Sequence, residues 1–366
     1  MVLFITFKKR ILVLLIVVLL ILLSILGLYL IRPTIMTMFI EEEIAGEIQH
    51  IFQHRTEAML REDMEILKSL YDHDLRNSIW AYEHELKKMK YLHRWSQKQG
   101  IKFIEILPVV MIRRASTKGD GYSVNLTVST QYKYVYDQEE NINSFRIGTY
   151  HSMDVVKRED GWKILREWYT DPFADSLALD ETKTEATKEF ILAQSPRDFS
   201  QLIDRRKSAV EYADMYCGAA GESNYSYNKK YKNYNPQGGD CANFASQILF
   251  EGGKFRKTSA WNYNKGGNKA WVNAQAFKDY WVYSGRASVV AYGDYNKVYK
   301  AVYKLQPGDF VAYEKKGKVT HISVVTGADS KGYTLVNSHN TDRYRVPWDL
   351  GWSNKGIKFW LVHVHF

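Results

Sequence analysis

Cysteine is almost missing from this chain of 366 residues: only Cys217 and Cys241 occur. Two cysteines cannot build a disulfide scaffold, and without a Cys-x-x-Cys pair there is no zinc knuckle. A glycine-rich phosphate loop and nucleic-acid-binding motifs are also missing. The net charge is +9, from 50 basic and 41 acidic residues, but the basic residues are scattered rather than gathered into a patch. That distribution argues against nucleic acid and for a solvated surface close to anionic lipids or wall polymers. Tyrosine and tryptophan are plentiful, at 26 and 10 residues, which suits extended strands and ligand-facing surfaces better than helix bundles. The length predicts roughly two or three domains, each able to bury a core.

Ile11 to Ile31 carries no charge and is interrupted only by Ser24, Gly27 and Tyr29, with Lys8, Lys9 and Arg10 before it. About 20 apolar residues span a bilayer as a helix, and flanking basic residues stay on the cytoplasmic side. The run is longer than a signal-peptide core and no small-x-small cleavage site follows, so an uncleaved single-pass anchor is expected. The body of the protein would then face outward. Residues 1–35 are assigned to this stub and anchor, 36–173 to an α+β domain, 174–200 to a linker and 201–366 to a second domain.

Glu41 to about Gln99 reads as helices, with Ile44, Ile48, Ile51 and Phe52 at helical spacing, followed by similar sets around Leu67 and Leu86. The period then changes to two. Ile101 to Arg113, Tyr122 to Tyr136, Phe145 to Val156 and Trp162 to Tyr169 are four strand candidates, the last two joined by a turn at Glu159-Asp160-Gly161. Helices followed by a long antiparallel sheet make an α+β order. With its Asp160 to Ile164 pattern, this segment resembles the nuclear-transport-factor-2-like (NTF2-like) cone domains. His151 is expected on a strand surface. Ala174 to Ser200 has few large apolar side chains and reads as a solvated helix or linker.

The second half is organised around Gln237 to Gly253. Gly238-Gly239 gives a turn, and an apolar run then starts a helix with Cys241 in its first turn. Amides and the helix dipole at such an N-terminus favour a thiolate. Asp240 steadies the turn or influences the thiol, and Asn243, Ser246 and Gln247 bond within the helix or its neighbours. The Tyr- and Asn-rich loop from Asn224 to Asn235 is a candidate for lining a cleft. Downstream, the Pro307-Gly308-Asp309 turn precedes a strand, Thr320-His321-Ile322 begins a second, and Tyr333 to Ser338 forms a third. A thiol attacking an amide needs a base beside it and the departing amine needs a proton; His321 is placed to serve both.

Gly238-Gly239-Asp240-Cys241-Ala242-Asn243-Phe244-Ala245-Ser246-Gln247, with Ser338 to Arg343 downstream, resembles the putative amidase domain of Gram-positive bacteria. That domain is related to the papain-like NlpC/P60 and CHAP amidases and peptidases. The resemblance covers about Asp204 to Phe366. It implies a papain-like α+β fold in which Cys241 and His321 hydrolyse an amide bond through an acyl-enzyme, with peptides of the cell wall as substrate. His339 stands where the resembled domain has its own histidine and is taken as the orienter of His321. Asn337, two residues earlier on the same strand face, is the alternative, while Asp342 supports His339 or caps a turn. No cofactor and no metal are expected; His363 and His365 alternate on the terminal strand Phe359 to Phe366 and should be exposed. The expected partners are the peptide substrate and the membrane, with no nucleic acid. Two rivals stay open: an inert wall-glycopeptide binder on the same fold, and a transglutaminase-like acyl transferase.

Overall fold

The computed structural model describes residues 9–173, 183–222, 224–352 and 356–366. Three helices come first: α1 (Lys9–Arg61), α2 (Met64–Ser69) and α3 (Arg76–Gln99). The apolar run Ile11–Ile31 falls within α1, largely outside the residues whose side chains are described. Among the described residues no helix is long and apolar enough to cross a membrane. Helix α2 starts where the Asp63 carboxylate accepts hydrogen bonds from the amides of Glu65 and Ile66, removing two orphan donors. Ile44, Ile48, Ile51 and Phe52 of α1, with Met89, Leu92 and Trp95 of α3, bury one stripe of each helix in the first core.

That core is closed by β1 (Ile101–Lys118), β2 (Gly121–Tyr136), β3 (Asn143–Arg158) and β4 (Gly161–Tyr169), all antiparallel neighbours in sequence. Alternation along β2 buries Tyr132, Tyr134 and Tyr136. His151 differs from expectation: it is buried, because α1 covers its face of β3. Its ring stacks on Tyr169 at 4.2 Å and meets the Phe52 ring edge at 5.3 Å. Its nitrogens are 2.7 Å from a Glu167 carboxylate oxygen and 2.7 Å from the Thr149 hydroxyl. Arg55 in turn donates to both Glu167 oxygens, at 3.0 and 2.7 Å.

The segment expected as linker holds a short helix, α4 (Glu185–Leu192), whose Thr184 and Thr187 form a capping box and whose Thr187 and Ile191 are buried. Next come α5 (Asp204–Met215), α6 (Cys241–Gln247) running into a π-turn at Ile248–Gly252, α7 (Lys269–Val272) and α8 (Ala274–Tyr283). Gly252 is required by close packing: a β-carbon there would lie 2.5 Å from the Ala209 Cα and from the Ser208 carbonyl oxygen of α5. The chain continues through β5 (Ala287–Gly293), α9 (Tyr295–Val298), β6 (Phe310–Lys315), β7 (Lys318–Ala328), β8 (Thr334–Ser338), β9 (Asp342–Pro347) and β10 (Ile357–Val364). Strands β5 and β9 were not anticipated. Helices α5 to α8 cover one face of the C-terminal strands, burying Phe244, Leu249, Trp261, Trp271, Trp281 and Ile322 in a second core.

The architecture is therefore mixed helix and antiparallel sheet, α+β in class. The two groups of strands also join edge to edge. Strand β3 pairs with β4 through one end and with β9 through Arg146, Ile147 and Gly148 at the other, so all ten strands belong to one sheet. The Pro-Gly-Asp turn fixes the far side. Asp309 accepts from the Gln306 amide at 2.8 Å and from buried Arg206 at 2.9 Å, and holds the Val364 amide of β10 at 3.0 Å. It also holds His363, which is half-buried rather than exposed, at 3.0 Å. His365 is exposed, within reach of the Gly285 carbonyl and the Ser288 hydroxyl.

Candidate active site

Cys241 opens α6 directly after Gly238 and Gly239, whose φ angles of 108° and 133° suit glycine alone. A side chain at Gly239 would also meet the Asn340 amide at 2.9 Å. Asp240 is the hinge of this turn. One of its carboxylate oxygens accepts from the Tyr234 amide (2.8 Å) and the Asn243 side chain (2.9 Å), and the other is 2.6 Å from the His339 ring. The remaining polar residues of α6 bind neighbours: Asn243 accepts from the Trp271 indole at 3.0 Å, Ser246 from the Trp261 indole at 3.0 Å, and Gln247 from the Tyr212 hydroxyl at 3.0 Å. The Asn224 to Asn235 loop folds over the turn, with Tyr227 stacked on His339.

The thiol itself lies at the seam between α6 and β7 and is only 5% exposed. Burial raises its pKa to about 11. The Ile322 and Ala242 backbone amides partly offset that by stabilising the thiolate. The helix N-terminus expected to favour the thiolate is thus present, and desolvation outweighs it. Cys217 is also buried, both thiols are free, and burial likewise raises the Cys217 thiol.

His321 comes immediately before Ile322 on β7. Successive strand residues face opposite sides. Ile322 packs with Cys241 in the second core, whereas the His321 ring faces Tyr313 and Trp352, with centroids 5.5 and 5.0 Å away. The ring is 2% exposed and its Nε2 is buried without a partner. Burial, and then the charge of Arg343, lower its pKa to about 3, so the imidazole is neutral over the ordinary pH range. No hydrogen bond joins His321 to Cys241 among the described residues.

His339 and Asn337, weighed as the third member, are engaged elsewhere. His339 bonds Asp240 through Nδ1 and the Tyr216 carbonyl through Nε2, at 2.6 and 2.7 Å. Both ring nitrogens are thus engaged, and neither is free to bond His321. The Tyr227 and Phe244 rings sandwich it, each 3.7 Å away. Asn337 accepts from Thr326 and from the Arg345 amide, and donates to Asp214 at 2.9 Å. Neither bonds His321. Asp342 is buried and accepts from the Ala219 amide, Tyr227 and Tyr150, at 2.7, 2.5 and 3.0 Å.

His321 lines a cavity of about 540 Å³ between the two groups of strands. Trp168 to Pro172, leaving β4, form one wall; Thr320, Asn340, Thr341, Arg343 and Trp352 belong to the other. Asn340 and Thr341 turn from β8 into β9 with φ values of 66° and 65°, an unusual conformation for a β-branched threonine and of the kind found at working sites. Sequence reasoning missed Arg343 and Trp352. The only trace was that Arg343 closes the quoted Ser338 to Arg343 string. Among the described residues no group of three or more His, Cys, Asp or Glu is placed to hold a metal ion.

No curated protein matches this chain. Among solved structures, the intermembrane space region of the chloroplast protein ARC6 is similar at 16% identity, over 35% of this chain and 92% of that chain, with a TM-score of 0.24. A likeness at that score carries no argument. Residues 203–362 match the profile of the family described as "Putative amidase domain", which supports an amide-hydrolysing function for this part of the chain.

Proposed function

We propose that the protein is a cysteine amidase or peptidase in which Cys241 is the nucleophile and His321 the acid and base. The observation that carries this reading is the coincidence, inside the matched stretch, of a thiol at a helix N-terminus ringed by backbone amides and a neutral histidine on the adjoining strand whose Nε2 has no partner. Because the thiol is held protonated and the imidazole neutral, the reaction runs by general-base catalysis rather than from a preformed thiolate and imidazolium pair. As substrate enters, the sulfur proton passes to His321 while the sulfur attacks the carbonyl carbon. The tetrahedral intermediate then expels the amine, which takes that proton. Water cleaves the thioester by the same route, returning a proton to the sulfur. Because the His321 ring faces Tyr313 and Trp352 while Cys241 packs on Ile322, the reading requires the bound substrate or a water at the strand edge to link the sulfur to the ring.

We assign His339 to positioning: with Asp240 it clamps the turn that presents Cys241. The body faces outward from a membrane anchored by Ile11 to Ile31, and wall peptides are its substrates. The exposed Leu19, Leu22 and Leu23 support the anchor, since nothing among the described residues covers them. The N-terminal α+β unit, read as NTF2-like, supplies one wall of the cleft. The test is hydrolysis of cell-wall peptides by the natural protein and by Cys241→Ser, with the acyl-enzyme sought by mass spectrometry.

A second reading is favoured by the raised thiol and the missing bond to His321: a binder of wall glycopeptide that uses the same cleft without chemistry. Saturable binding of wall fragments with no hydrolysis and no acyl-enzyme would select it.

A further inference from the structure

The charge in the cleft is unbalanced. Arg343, on β9, is fully buried and lines the same cavity as His321. Its Nη1 donates to the Leu350 carbonyl at 2.7 Å. Its Nε is buried without a partner, and Nη2 makes no hydrogen bond to the described residues. No carboxylate among the described residues lies within ion-pair distance of it. The two acids whose charges bear on it are committed elsewhere: Asp349 to Lys183, Trp95 and Tyr333, and Asp171 to His84, Tyr169 and the Phe173 amide.

A guanidinium stays charged in a protein, and a buried charge without a counter-ion is costly unless an anion is supplied. The edge that is left open, Nε with Nη2, is the one that matches a carboxylate with two parallel hydrogen bonds. A phosphate, with its higher charge, is held best by several cations, and besides Arg343 the only other Lys or Arg among the described lining residues is Lys315.

Resting on the amidase reading, we infer that Arg343 is a substrate-binding residue that receives a carboxylate of the substrate, so that the enzyme prefers amides close to a free carboxyl group. At about 540 Å³ the cavity has room for a short peptide, and Asp171 on the opposite wall, tied down by His84, disfavours a second carboxylate there. The carboxylate would dock beside the ring that handles the proton, which fixes how far the scissile amide lies from the acid end.

The probes are N-acetyl-Ala-Ala with a free C-terminal carboxylate and the same peptide as its carboxamide. Affinities are measured by calorimetry on Cys241→Ala protein, so that binding is read without turnover. At least tenfold tighter binding of the carboxylate is expected, together with loss of that preference in Arg343→Met and its partial return in Arg343→Lys. Equal affinity for the two probes, no measurable binding of either, or a preference that survives in Arg343→Met would overturn the inference. If Arg343→Met does not fold, the probe pair on the otherwise intact protein still decides. Hydrolysis by the natural protein is scored separately: a carboxylate preference in binding with no turnover would sink the amidase reading and leave the subsite standing, while turnover without preference would do the reverse.

Discussion

The Asp240 carboxylate and the His339 ring meet at 2.6 Å, both almost fully buried, and join the residue before Cys241 to the end of β8. Removing one partner of such a pair strands the other, which costs roughly 3–5 kcal/mol. His339→Ala should therefore lower the unfolding free energy by about that amount and also abolish activity, because the Cys241 turn loses its clamp. His321→Phe, which keeps a ring in the buried site, should lose activity with a smaller effect on stability. Urea denaturation of both variants checks this; equal stability of His339→Ala and the natural protein would show that the pair does not hold the turn.

Burial lowers the His321 pKa from 6.5 to about 3, so the folded protein refuses a proton that the unfolded chain accepts. Between those values the unfolded state binds more protons, and stability falls as pH drops, on the order of 1.4 kcal/mol per pH unit from this group. His321→Phe, which keeps a ring between Tyr313 and Trp352, should flatten that slope. Urea midpoints at pH 7, 6, 5 and 4 give the comparison, and parallel curves for the two proteins would show that the histidine is not buried as a neutral group.

Cys241, held near 11 by burial, should react with iodoacetamide about tenfold faster for each pH unit gained between pH 7 and 10, since the thiolate fraction grows in that proportion. Peptide mapping separates it from Cys217. A rate that levels off below pH 8 would mean a preformed thiolate and a different mechanism.

Gly252→Ala should cost about 1–3 kcal/mol, because its new methyl group must push α5 away from the π-turn behind the nucleophile helix. The melting temperature reports this directly, and an unchanged value would mean that α5 has room to move.

Much of the strand order was readable because period-two alternation and turn residues are local: Glu159-Asp160-Gly161 marks a hairpin and Pro307-Gly308-Asp309 marks the start of a strand. The Cys241 turn and helix were readable for the same reason. The burial of His151 was not, since it depends on α1 lying across β3, nor was the pairing of Arg146 with Tyr344 that merges the strands into one sheet. The thiol was expected to be acidic from its helix position; the burial that reverses this comes from packing against residues distant in sequence. Beyond closing the Ser338 to Arg343 string, Arg343 carries no local signal. Its meaning arises only when Asp171 and Asp349 are seen to be bonded to other groups.

The most direct measurement is hydrolysis of cell-wall peptides by the natural protein and by Cys241→Ser, with intact mass recorded during turnover. The account predicts a covalent acyl adduct on Cys241 and a fall in rate of about 10³-fold or more in the serine variant. Hydrolysis that continues undiminished in Cys241→Ser would contradict it.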